Sequence, residues 1–156
     1  MIQRIQSIYL AIITVCCGLV FVFPFAEISI PDGVCVLDAL SITTKTKIDA
    51  VLLKPWLVTI LAILCTLLSL AIVMQFRNRL LQIKLCRFNM LLLLGLIISI
   101  FYMIDRAQEL LSMGGEPEVT YGIGAFLPLV AVIFNILAIR AITKDERLVR
   151  SADRLR

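Results

Sequence analysis

Arg77-Asn78-Arg79-Leu80-Leu81-Gln82-Ile83-Lys84-Leu85-Cys86-Arg87 lies between two long apolar runs and carries four cations and no acid. Short loops rich in Lys and Arg stay on the cytoplasmic side of a bilayer. The stretch is therefore read as an inner loop, and placing it decides the side of every other segment. Toward the amino end, Pro55 to Phe76 runs 22 residues without a charge. At 1.5 Å per residue that is ~33 Å, enough to cross a hydrocarbon core of about 30 Å. Pro55 suits the first helical turn and Trp56 the outer interface.

Residues 27–54 form an outer loop, the one sizeable polar region. Glu27 to Leu37 alternates apolar with other residues on either side of Pro31-Asp32-Gly33, which predicts a small β-hairpin: Pro presets φ and Gly accepts a positive one. Ser41 to Lys47 is β-prone or irregular, and Ile48 to Leu53 suits a short interfacial helix. Before the loop, residues 5–26 form another uncharged run of 22. That exceeds the ~7–15 residue core of a cleaved signal peptide, and Pro24-Phe25-Ala26 is a poor cleavage site, so the run is read as a retained anchor.

Toward the carboxyl end, Phe88 to Ile104 is uncharged for only 17 residues. Its ~25 Å falls short of the bilayer, but both flanks hold good helix formers, so this helix is expected to protrude. Gly114-Gly115-Glu116-Pro117 breaks the chain, and Val119 to Ile139 is a fourth uncharged run, with Pro128 inside it toward the outer end. Residues 140–156 then read as an amphipathic basic helix: Leu148, Ala152 and Leu155 share one face, and Arg147, Arg150 and Arg154 another.

The composition agrees. Apolar residues make up 61% of the 156 and the mean hydropathy is +1.03, well above the ~45–50% apolar usage of soluble domains. With both ends and the Arg77 loop inside, the inner side holds eleven Lys and Arg, namely Arg4, Arg77, Arg79, Lys84, Arg87, Arg140, Lys144, Arg147, Arg150, Arg154 and Arg156. The outer side holds four, Lys45, Lys47, Lys54 and Arg106. Aromatic residues gather at the outer ends of the runs (Phe21, Phe23, Trp56, Tyr102, Tyr121) and at the inner ends (Tyr9, Phe76, Phe88), as interfacial belts do.

The expected fold class is thus an all-α membrane protein, a single polytopic domain over 1–156. It is a four-helix transmembrane bundle crossing at about 5–26, 55–76, 88–104 and 119–139, with a small outer hairpin.

Chemistry is sparse. Histidine is absent, which removes the commonest general base and metal ligand. Cys16, Cys17, Cys35, Cys65 and Cys86 show no metal or redox spacing. Cys35 alone falls in the outer loop, where it is expected to be unpaired and accessible to a polar thiol reagent. No ionisable residue lies mid-span, although ion-coupled carriers normally need one. Gly122-Ile123-Gly124 lacks the context of a phosphate loop and is read as a flexible lead-in to the fourth span.

Gly95 with Ser99, and Ala131 with Asn135, form small-xxx-small steps for helix packing. Asn135 needs a partner in hydrocarbon, and Ser99, Thr66 and Ser69 are the expected ones; packing is the simpler account of it than substrate binding. No catalytic residue, metal ligand or cofactor site can be assembled.

Three blocks resemble one family: Met1 to Leu10, Leu81 to Asn89, and Tyr121 to Leu129 continuing into Arg140 to Arg156. They are similar to the domain-of-unknown-function family numbered 4293, small four-helix membrane proteins of Bacteroidota. Leu148-Val149-Arg150-Ser151-Ala152-Asp153-Arg154-Leu155-Arg156 is the most specific of these stretches. The resemblance implies a bacterial inner-membrane location and no particular activity.

The reading that follows is a non-enzymatic accessory or assembly subunit with both termini cytoplasmic. Its basic tail, through Arg147, Arg150, Arg154 and Arg156, contacts a protein partner. Two alternatives are a membrane-surface sensor reading anionic lipid and a small oligomeric transporter. Expected partners are the lipid bilayer and a protein in the membrane or at its cytoplasmic face; no nucleic acid is expected.

Overall fold

A computed structural model describes residues 3–30, 33–40, 42–44, 55–75, 79–112 and 117–154. Its helices are α1 (Gln3–Leu19), α2 (Trp56–Met74), α3 (Arg79–Leu111) and α4 (Ile123–Arg154). They form a ring in which α1 and α3 each pack against both α2 and α4. Leu93, Leu96 and Ile100 of α3 and Ala131, Ala138 and Ile142 of α4 are among the side chains fully buried in its centre.

The outside of the bundle is as apolar as its core. Ile60, Ile63, Leu64, Leu67 and Leu70 stand exposed on α2, Leu91, Leu94 and Ile98 on α3, and Ile133 on α4. Contiguous apolar surface of this extent is not tolerated in water and calls for a hydrocarbon solvent. Three helices, over Trp56–Met74, Leu80–Leu111 and Ile123–Leu148, are long and apolar enough to cross a membrane. The protein is thus a multi-pass membrane protein.

The apolar part of α1, Gln6–Leu19, is shorter. The helix gives way five residues before Pro24, and the chain continues in turns held by bonds such as Phe23 N to the Leu19 carbonyl at 3.1 Å. Gln6 Nε2 donates to the Ala141 carbonyl at 3.2 Å, while Gly124 N donates to the Pro24 carbonyl at 3.0 Å. The segment from Gln6 to Pro24 therefore lies antiparallel along the whole of α4 between Gly124 and Ala141.

The third apolar run does extend in both directions. At 33 residues α3 reaches ~50 Å, longer than the bilayer is thick. The expected hairpin also forms, from β1 (Ala26–Ile30) and β2 (Gly33–Leu37), paired antiparallel with Ile30 opposite Gly33. Gly33 carries a φ of 151°, a conformation that L side chains rarely adopt.

The hairpin is the middle of something larger. With β3 (Ile42–Thr44) and β4 (Glu118–Tyr121) it makes a four-stranded antiparallel sheet in the order β3-β2-β1-β4. Residues 119–121, expected to open the fourth crossing, thus belong to a strand with Glu118, and α4 begins only at Ile123. β4 takes this form because β1 offers it a partner, with Ala26 opposite Tyr121 and Ser29 opposite Glu118. The short interfacial helix expected over 48–53 lies outside the described residues.

The sheet changes the reading of Cys35. Far from being accessible, the thiol is 3% exposed, buried with Ile28, Leu37 and Phe25. Alternation along β2 turns Cys35 and Leu37 to one face, and that face is the covered one.

Gly122 and Gly124 are likewise not a flexible lead-in. Gly122 N donates to the Phe25 carbonyl at 2.8 Å. A Cβ on Gly124 would stand 2.6 Å from the Pro24 carbonyl oxygen and closer still to that of Phe23. Only glycine lets these two backbones meet.

Candidate functional site

The sheet closes one end of the bundle, and polar groups gather inside the other. On α3, Gln82 and Asn89 are buried; on α4, Asn135 and Asp145; on α1, Gln6. Each lies on the inward stripe of its helix. On α4 that stripe runs Ala131, Asn135, Ala138, Ile142, Asp145, recurring every three to four residues.

Asn135 Nδ2 donates to the Cys86 carbonyl of α3 at 3.0 Å. This is not one of the expected partners, and the reason is local: the hydroxyls of Ser69, Thr66 and Ser99 are spent on their own helices. Ser69 donates to the Thr66 carbonyl at 2.9 Å, Thr66 to Ala62 at 2.8 Å and Ser99 to Leu96 at 2.9 Å. Gln82 Nε2 donates to the Ile72 carbonyl at 3.3 Å and ties α3 to the end of α2. Asn135 Oδ1 and both amide atoms of Asn89 have no hydrogen-bond partner among the described residues, although Asn89 is wholly buried. Gly95, by contrast, has nothing within 4 Å of where a Cβ would stand. Among the described residues no close approach between helices rests on it.

The same end carries a run of cations. Along the exposed face of α4 the side chains run Ile133, Leu137, Arg140, Lys144, Arg147 and Leu148, so the face is apolar until Arg140 and cationic beyond it. On α3, Lys84 and Arg87 are exposed at a similar depth, and Asp105 and Arg106 at the far end. From Arg87 to Asp105 is ~27 Å along the helix, close to the hydrocarbon thickness of about 30 Å. The cations therefore mark one edge of the apolar belt.

Arg140, Lys144 and Arg147 stand at i, i+4 and i+7 and share a face. With Ile139, Thr143 and Leu148 they line an open groove of about 520 Å³. Thr143 Oγ1 donates to the Ile139 carbonyl at 2.7 Å, so its oxygen remains only as an acceptor. Recognition in the groove falls to the three cations.

Like charges at this spacing cost an isolated helix about 0.2–0.5 kcal/mol per pair, and the nearby Asp145 is turned into the bundle. Among the described residues none of the three makes an ion pair, whereas at the opposite end Arg106 Nη1 meets Glu109 Oε2 at 2.6 Å.

Of the tail residues singled out from sequence, Arg147 lines this groove. The side chains of Arg150 and Arg154, and Arg156 as a whole, lie outside the described residues, although the α4 backbone is helical to Arg154. Sequence reading passed over Gln6, Gln82 and Asn89, because a lone amide near the end of an apolar run is as well suited to the interface as to the core. The spacing of Arg140 and Lys144 was visible, but which face they shared was not. Among the described residues no group of three His, Cys, Asp or Glu could hold a metal ion.

A search among curated proteins found no match. The profile of one family, described as a domain of unknown function (DUF4293), matches residues 2–155. With nearly the whole chain covered, and with the four-helix membrane fold that the resemblance implied, the chain belongs to the DUF4293 family.

Proposed function

We propose that this membrane protein is a non-enzymatic accessory or assembly subunit of the bacterial inner membrane. In this reading both termini are cytoplasmic and a protein partner docks on the distal arginines of α4. The observation that carries it is the length of α4, which continues as one helix to Arg154. Arg154 lies 14 residues past Arg140, ~21 Å beyond the edge of the apolar belt.

Anchoring the fourth helix needs cations beside the membrane, but not at that distance. An arginine held well clear of the headgroups is suited to bidentate recognition of carboxylates on another subunit.

The test replaces Arg150 and Arg154 with Lys, which keeps the charge and removes the planar fork. The parent, purified in mild detergent, is expected to bring a partner in fixed stoichiometry that the double Lys variant loses. A parent that purifies alone, or a variant that keeps everything the parent binds, ends the docking proposal.

A further inference from the structure

We infer that the groove of Arg140, Lys144 and Arg147 is a binding site for the phosphate headgroup of an anionic phospholipid in the adjoining leaflet. It lies nearer the membrane than the distal arginines and does not depend on their having a partner.

Position is the first argument. The groove continues the exposed apolar stripe of Ile133 and Leu137 directly into the cations, and a stripe that faces acyl chains must meet phosphates one turn later. A soluble anion would arrive from water and would have no use for that continuity.

Shape and chemistry agree. Ile139 and Leu148 flank the groove with apolar surface against which a glycerol backbone and the first methylenes can lie. Arg140 and Arg147 can each grip two phosphate oxygens, and Lys144 between them adds a point charge. A zwitterionic headgroup would bring its own cation into a site that already holds three. Charge complementarity therefore selects a net anionic lipid over phosphatidylcholine.

The purified full chain in neutral detergent, offered phosphatidylglycerol and phosphatidylcholine in equal amounts, is examined by native mass spectrometry for retained lipid. The parent should retain phosphatidylglycerol in preference. Lys144→Gln with Arg147→Gln should weaken that retention roughly 25-fold, at about fivefold for each basic residue removed near a membrane surface. The single Lys144→Gln change, at an exposed residue, should weaken it about fivefold and serves if the double variant does not fold. Arg150→Gln with Arg154→Gln should leave lipid retention as in the parent, which separates this site from the docking proposal.

Four results would overturn the assignment. These are equal retention of the two lipids by the parent, full retention by the groove variants, an equal loss in the distal variant, which would mean diffuse charge, and displacement by free glycerol 3-phosphate, which would mean a soluble-anion site.

Discussion

The Cys35 thiol sits in β2 between β1 and β3 with 3% of its surface exposed, and burial pushes its pKa above that of an ordinary thiol. The thiolate is the reactive form, so both access and ionisation protect it. In the folded protein a polar maleimide should modify Cys35 at least roughly tenfold more slowly than after unfolding in strong detergent. Peptide mass spectrometry at Cys35 reads this, and equal rates in the two states would mean that the sheet does not cover the residue. Its neighbours in sequence, Val34 and Val36, already alternated with it; what they could not indicate was which of the two faces is covered. Asn135 shows the same limit. Its need for a partner followed from hydrocarbon being a poor solvent for an amide, but the choice of the Cys86 carbonyl depended on where three hydroxyls on other helices had already spent their protons.

Among the elements, α2, α3 and α4 were legible because the bilayer enforces a length and a polarity that no tertiary contact can override. The hairpin was legible through its turn residues. β4 was not, since Glu118 to Tyr121 is a strand only by virtue of β1, about ninety residues earlier, and local pattern carries no trace of so distant a partner. The close meeting of Pro24 with Gly124 at that junction can be tested against Gly95, a helical glycine with open space around it. Gly124→Ala must displace backbone rather than a flexible side chain, and should destabilise the folded protein by about 1–3 kcal/mol. Gly95→Ala should be neutral or stabilising by up to about 1 kcal/mol, the usual gain of Ala over Gly in a helix. Thermal melts of the two variants in one detergent decide the matter; a Gly95 variant that melts below the Gly124 variant would show that this junction is not where the helices are locked.

At the scale of the whole molecule, the charge asymmetry read from Arg77 to Arg87 agrees with a bundle whose sheet and basic groove lie at opposite ends. The sidedness itself rests on the excess of inner Lys and Arg. A reporter active only in the cytoplasm should therefore be active when fused after Arg156, and one active only outside the membrane should be silent there. The reverse pattern would turn the groove and the tail to the outside. The sheet at the opposite end was beyond such counting, because it is built jointly from the connection before α2 and the connection before α4. That joint construction has a consequence in time. Chains grow from the amino end at about 5–20 residues per second, so one side of β1 waits roughly 4–15 s after β3 is made before β4 is synthesised. During that interval the sheet presents an open edge of the kind on which strands from other copies add. A ribosome that stalls after α3 would leave that edge of β1 unpaired, and the arrival of just four residues, Glu118 to Tyr121, covers it.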